Sequence, residues 1–242
     1  MRGCLFTLLL GAIVLGFAVV VGLPAAASAV LTGAITAAGL QADDTTVGVA
    51  SDPPTDLLGL HADRVRIRAT DATFHDLEIG ELDVTLGDVA IIDRTVETVE
   101  GTLAGVTVPD VGGRPLALAE VTLVGGGETI TASTTVDGAA AEALLADAIE
   151  AESGVRPSSG TLSAPDRVAA RMGVVVHARL RVNAAGDLVA KVLDGPEAGR
   201  SLTLLRGGDD LPIHLTGARV TTAGDLRLTG DLEIGLLGFL GG

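Results

Sequence analysis

Hydrophobic and polar positions alternate along much of this chain with a period of two, the signature of strands with one buried face. The densest case runs from Leu57 to Ile92. In Arg64-Val65-Arg66-Ile67-Arg68 charged and branched residues alternate strictly, which sends their side chains to opposite faces of an extended chain. After a turn-like Ala69-Thr70-Asp71-Ala72, the alternation resumes at Leu77 and Ile79. It slips one position at Gly80 and continues through Leu82, Val84 and Leu86. A phase slip at a glycine predicts a β-bulge. The stretch therefore reads as a long hairpin bent at Gly80, with Val65, Ile67, Leu77 and Ile79 on the face that meets a helix or a ligand. The arginine row Arg64, Arg66, Arg68 on the other face predicts a cross-strand ladder against Glu78, Glu81 or Asp83, in preference to a phosphate site.

Further strands are predicted at Thr45 to Ala50, Thr98 to Val108, Leu116 to Val124, Thr129 to Val136, Val174 to Val182 and Leu188 to Val192. Pro109 to Gly113 and Gly125-Gly126-Gly127 supply turns, the second closing a hairpin. Thr161 to Met172 fits neither period. Ala141, Leu144, Leu145, Ala148 and Ile149 fall instead on a helical stripe, with Asp137 as N-cap and Gly154 as stop. A shorter helix is predicted from Leu31, Ala34, Ile35 and Ala38, ending at Gly39. Two short echoes recur: Ala178 to Leu188 resembles Ala218 to Leu226, and Asp76 to Gly80 repeats at Asp231 to Gly235. They imply hairpins of similar build without the fixed period of a solenoid.

The first residues change the picture from fold to location. Arg2 precedes an apolar run from Leu5 to Leu23, and Ala27-Ser28-Ala29 has the small residues of a signal cleavage site. The run also reaches the ~20 residues that a membrane helix needs. Residues 1–29 thus read as a signal peptide or an N-terminal membrane anchor, and 30–242 as one β-rich domain outside the cytoplasm. That places it in the cell envelope, a periplasm-like space or the medium.

Composition narrows the chemistry. Tryptophan and tyrosine are absent, and beyond residue 29 only Phe74 and Phe239 are aromatic, so the chain has no platforms for stacking bases or sugars. A net charge of −15 disfavours nucleic acid as a partner. Cys4 is the only cysteine and lies in the leader, which leaves no disulfide or thiolate metal site for the remainder. No nucleophile elbow, phosphate loop, HExxH motif or calcium loop occurs. His61, His75, His177 and His214 stand singly, and Asp43-Asp44 and Asp209-Asp210 lack a ligand series. No catalytic residue, metal ligand or cofactor is expected. The glycine-spaced tail Ile234 to Gly242 is expected to fold back on the domain.

The order of elements resembles the LmeA-like phospholipid-binding proteins of actinobacteria and relatives. The resemblance rests on the apolar leader, the short helix, Asp63-Arg-Val-Arg-Ile-Arg-Ala69 and Leu77-Glu-Ile-Gly-Glu-Leu-Asp-Val-Thr-Leu86. It is completed by the helix after Thr131-Ala-Ser-Thr-Thr-Val-Asp-Gly138 and the strands ending in Gly-Asp-Leu. It implies an α+β fold: a curved, mainly antiparallel β-sheet wrapped on one or two helices, like half of a tubular lipid-binding domain. It further implies a non-enzymatic envelope protein that holds or hands over phospholipid or glycolipid acyl chains in an apolar groove. The expected partners are phospholipid or another acyl lipid, and the membrane through an uncleaved leader. The candidate contacts, read from the apolar strand face, are Val65, Ile67, Phe74, Leu77, Ile79, Leu82 and Val84. The alternative is a structural or adhesive envelope β-domain with a filled core and a protein partner.

Overall fold

The computed structural model describes residues 25–33, 35–36, 39–74, 76–90, 93, 95–111, 113–127, 129–195, 197–207 and 213–233. The apolar run Leu5 to Leu23, His75, Asp209-Asp210 and the tail from Ile234 lie outside them. Among the described residues no helix is long and apolar enough to cross a membrane.

The period-two segments build two antiparallel sheets, giving a β-rich α+β fold. Helix α1 (residues 25–33) leads into β1 (Leu40–Gln41) and β2 (Asp44–Ala50), and a 3-10 turn (Pro54–Gly59) precedes β3 (His61–Phe74). Then come β4 (Leu77–Ala90), β5 (Thr95–Val111), β6 (Arg114–Gly126) and β7 (Thr129–Val136), followed by helix α2 (Gly138–Ser153). A run of shorter strands follows: β8 (Ser159–Ser163), β9 (Arg167–Met172), β10 (Val174–Val182), β11 (Leu188–Val192) and β12 (Ser201–Leu205). Strands β13 (His214–Val220) and β14 (Leu226–Glu233) close the fold. The larger sheet has the order β1-β3-β4-β5-β6-β7-β14-β13, with β2 beside β1 on the edge of β3. The smaller sheet is a five-stranded meander, β12-β11-β10-β9-β8.

Three expectations need correction. Leu57 to Gly59 is not strand, because Pro54 starts a 3-10 turn whose Leu57 is buried. Ala69 to Ala72 is not a turn, since β3 runs unbroken through it, with Asp71 at φ 47° and the register on β4 unshifted. Pro109 to Val111 also stays in β5, so the turn there begins later, where the Gly113 N–H donates to the Asp110 carboxylate. The stretch without a clear period, Thr161 to Met172, forms the end of β8, the turn after it and the whole of β9.

No extra residue enters at Gly80, so the expected bulge is absent: the register on β3 and β5 is unshifted there, and the phase slip is one point on a crease across four strands. On β3, β4, β5 and β6 the inward residues skip one position together, as Ala69/Ala72, Leu82/Ile79, Leu103/Val106 and Val121/Leu118. Register sets Gly80 between Asp71 and Gly105, the latter at φ 62°. A Cβ on Gly80 would sit 3.3 Å from the Ala104 carbonyl oxygen, so the crease brings backbones closer than a side chain comfortably allows. A second crease shifts Ala62/Val65, Val89/Leu86 and Val96/Val99, with Asp88 at φ 49°. These long ribbons bend twice.

Helix α2 forms where the stripe predicted it. The Asp137 carboxylate accepts from the N–H of Ala139 and Ala140, and Gly154 ends the helix at φ 71°. Ala141, Leu144, Leu145 and Ile149 are buried, and α2 touches both edge strands of the small sheet, β8 and β12. A sheet that meets one helix with both edges is curled around it. Gly160 of β8 lets α2 in close, its missing Cβ falling 3.5 Å from a Leu145 methyl. A single apolar core joins both sheets and α2, and Ile35 is buried in it with Ala27 and Leu31 of α1 packed alongside.

Candidate functional site

Cross-strand register sorts the large sheet's inward side chains into rows. One row runs Thr45, Ala69, Leu82, Leu103, Val121, Thr134, Leu228, Ala218 across eight strands. The next runs Val47, Ile67, Val84, Gly101, Leu123, Ala132, Gly230, Leu215. In the middle of these rows Leu82, Val84, Leu103, Val121 and Leu123 are only half-buried. The side chains around them are buried: Ile67 and Ala69 on one side, Ala132 and Thr134 on the other, Leu86 and Val99 at one end beside the half-buried Gly125, and Ile79, Val106 and Leu118 at the other. The result is an aliphatic patch three strands wide, about 10 Å between the outer two axes, ringed by closed core. Gly101 makes its floor tight, because a Cβ there would stand 2.8 Å from a Val84 methyl and 2.9 Å from the Asp83 carbonyl oxygen. The buried Thr134 hydroxyl is satisfied by the Glu120 carbonyl at 2.7 Å, so the ring carries no unpaired hydroxyl.

Of the lipid-contact candidates, Leu82 and Val84 lie in this patch. Val65, Ile67 and Ile79 are buried in its rim, and Phe74 and Leu77 face each other, half-buried, at the far end of the β3–β4 hairpin. Sequence reasoning missed Leu103, Val121 and Leu123. Each belongs to an alternating strand segment, but no local pattern tells a half-covered leucine from a buried one.

The opposite face is polar. Arg66 grips both Asp83 oxygens, at 2.9 and 2.6 Å, and Arg68 adds a bond at 3.3 Å. The Arg66 guanidinium holds Asp83 below the usual carboxylate range, with Arg68 assisting. Arg66 and Arg68 thus form the expected ladder, with Asp83 as the partner, while Arg64, opposite Gly87, has no ion pair among the described residues. On this same face a depression of about 480 Å³ opens where β6 parts from β7, between Gly105–Thr107, Ala117–Ala119, Thr135, Asp137 and Asp225. Its two carboxylates serve the start of α2: Asp137 caps it, and Asp225 accepts from the Gly138 N–H at 3.1 Å. The depression is a consequence of the crease and of that capping.

Two histidines gain partners. The His177 ring nitrogen Nδ1 lies 2.7 Å from Asp194, whose other oxygen accepts the His177 backbone N–H at 2.8 Å. These bonds, the backbone one foremost, lower the Asp194 carboxyl. Both side chains are about half exposed on the outside of the small sheet. His61, Asp63 and Asp88 bring ligand-type atoms within 4.8 Å of one another. Asp63 already accepts the Asp52 N–H, and both carboxylates are exposed to competing water. Asp88 joins this group from the neighbouring strand, which spacing in the chain did not reveal.

No protein-family model matches the chain, and no curated protein or solved structure matches it either.

Proposed function

We propose that this protein is a non-enzymatic, extracytoplasmic lipid-binding protein of the cell envelope, which lays an acyl chain of a phospholipid or glycolipid on the aliphatic patch of the large sheet. The observation that carries this reading is the island of five half-buried side chains, Leu82, Val84, Leu103, Val121 and Leu123, inside a ring of buried ones. An alkyl chain placed there removes apolar area from water, at about 25 cal/mol per Å². The patch offers no polar group to fix a headgroup, so selectivity would rest on chain rather than head. The curled small sheet around α2 supports the tubular lipid-binding resemblance, and the apolar run Leu5 to Leu23 supports export. The chemistry is holding, because the half-buried surface is made of hydrocarbon alone.

Organic extraction of the purified full chain followed by mass spectrometry tests this. Wild-type protein is expected to yield a stoichiometric acyl lipid, and Leu103→Asp to yield less than about a tenth of it, since burying a carboxylate against hydrocarbon is prohibitive. Folded wild-type protein that yields no lipid would overturn the proposal and favour an envelope β-domain with a protein partner.

A further inference from the structure

The outer face of the small sheet concentrates cations. Register sets Arg167 opposite Arg179 and Arg179 opposite Lys191, three cations in one cross-strand row. Like charges directly opposite one another destabilise a sheet. Arg171 and Arg181 extend the row along the same face, so five of the chain's 16 Lys and Arg residues lie here, in a protein with 31 acidic residues. Elsewhere Arg66, Arg68, Arg114, Arg156 and Arg200 are each bonded to carboxylates, and among the described residues Arg64, Arg219 and Arg227 are not. Here Arg179 meets Asp166 at 3.2 Å, while Arg167, Arg171, Arg181 and Lys191 have no ion-pair partner among the described residues. The face's other carboxylate, Asp194, is held by His177.

Beside these cations lie exposed aliphatics. Val175 is 46% exposed and Leu193 is 42% exposed, whereas the exposed Val174 at the start of β10 has the parity of the other face. Val175 sits opposite Arg171, and the Leu193 N–H bonds the His177 carbonyl, which places Leu193 on the Lys191 side of the sheet. From Val175 to Arg179 the strand rises about 14 Å. Arg171 stands at this tip, opposite Val175, and the other cations lie behind it, so apolar side chains that enter a bilayer surface by ~5–10 Å carry the cations toward its phosphates. The overall negative charge does not cancel these cations, because charges beyond about 8–10 Å are screened at physiological salt. A second facing pair, Arg219 and Arg227, has no large exposed apolar residue on its strands among the described residues. A free polyanion would need only the charges, whereas the exposed Val175 and Leu193 select hydrocarbon.

We propose that the Val175–Leu193 tip and the Arg167–Arg179–Lys191 row together form a docking surface for the anionic headgroup layer of a lipid bilayer. This surface lies on the small sheet, apart from the acyl patch of the large one, so either assignment stands without the other.

The chain has no tryptophan, so a Val175→Trp substitution in the full chain gives a probe specific to this face. The leader can enter any vesicle, and total binding is therefore not the readout. In phosphatidylcholine vesicles containing phosphatidylglycerol and brominated lipid, Trp emission is expected to shift blue and be quenched. In phosphatidylcholine alone, or at high salt, it stays solvent-like. Adding Arg167→Glu and Lys191→Glu should raise the half-saturating vesicle concentration at least about tenfold, with an unchanged far-ultraviolet circular dichroism spectrum. A Val124→Trp control on the large sheet should not respond. The proposal is overturned if position 175 responds equally in neutral vesicles, or not at all. An unchanged charge variant, an equal response at position 124, or an equal response to a single-stranded oligonucleotide would also overturn it.

Discussion

Asp83 shows how single residues set behaviour in this molecule. Two arginines converge on it, so its folded-state pKa lies below the unfolded one, and Asp194 is lowered likewise by His177. A lowered carboxyl contributes stability that is complete above the unfolded value near 4 and is lost as pH falls through the folded value. Carbon-detected NMR titration is expected to place the Asp83 carboxyl inflection below that of a free aspartate, and Arg66→Ala to move it back up. The melting-temperature gap between wild type and Asp83→Asn, present at neutral pH, should close on acidification. A gap that widens in acid would mean the ladder is not what holds Asp83. Alternation in the sequence made the arginine row legible as a ladder, but three carboxylates were eligible. Only the register of β3 on β4, with Arg68 opposite Asp83, selects one.

At the scale of elements, periodicity was most informative where one chain segment satisfies its own needs. Helix α2 carries its cap, its stripe and its stop within Asp137 to Gly154, and all three occur as read. Asp137→Ala is expected to cost about 1 kcal/mol, seen as a lower urea midpoint with unchanged slope. The echo between Ala178–Leu188 and Ala218–Leu226 also has a physical basis. In one turn the Asn183 N–H bonds the Asp187 carbonyl and Gly186 the Asn183 carbonyl; in the other Thr221 bonds Asp225 and Gly224 bonds Thr221. Both glycines have positive φ, 81° and 95°, which is why the Gly-Asp-Leu signature repeats. The second echo, Asp231 to Gly235, runs past the described residues. Errors arose where a local signal had two solutions. Thr70-Asp71 suits a turn as well as a kink within a strand, and the pairing partner chose the kink by setting Gly80 opposite.

Across the whole molecule, the two sheets share one core. Leu188 of the small sheet and Leu228 of the large one are both fully buried in it. Leu188→Ala and Leu228→Ala are therefore each expected to lower the same cooperative transition by ~2–5 kcal/mol, followed by circular dichroism in urea. Two separated transitions would show that the sheets unfold independently. The acidic Asp147 of α2 contributes to this unity, since it binds Arg114 at the start of β6 at 2.6 Å and Arg156 at 2.9 Å. With their arginines 40% and 48% exposed, these pairs orient the helix more than they stabilise it.

Period and capping, which depend on neighbours within a few residues, were enough to place most strands, helix α2 and the slip at Gly80. They were also enough to separate an aliphatic face from an arginine face. Tertiary structure alone decided the rest: that the slip is a crease shared by four strands, and that the small sheet curls until both edges meet α2. It also decided that Arg167, Arg179 and Lys191 face one another and that five aliphatics remain half-covered. Each of these depends on register and on what packs above a residue. Both are relations between segments far apart in the chain, and alternation looks the same whether its apolar face is sealed or open.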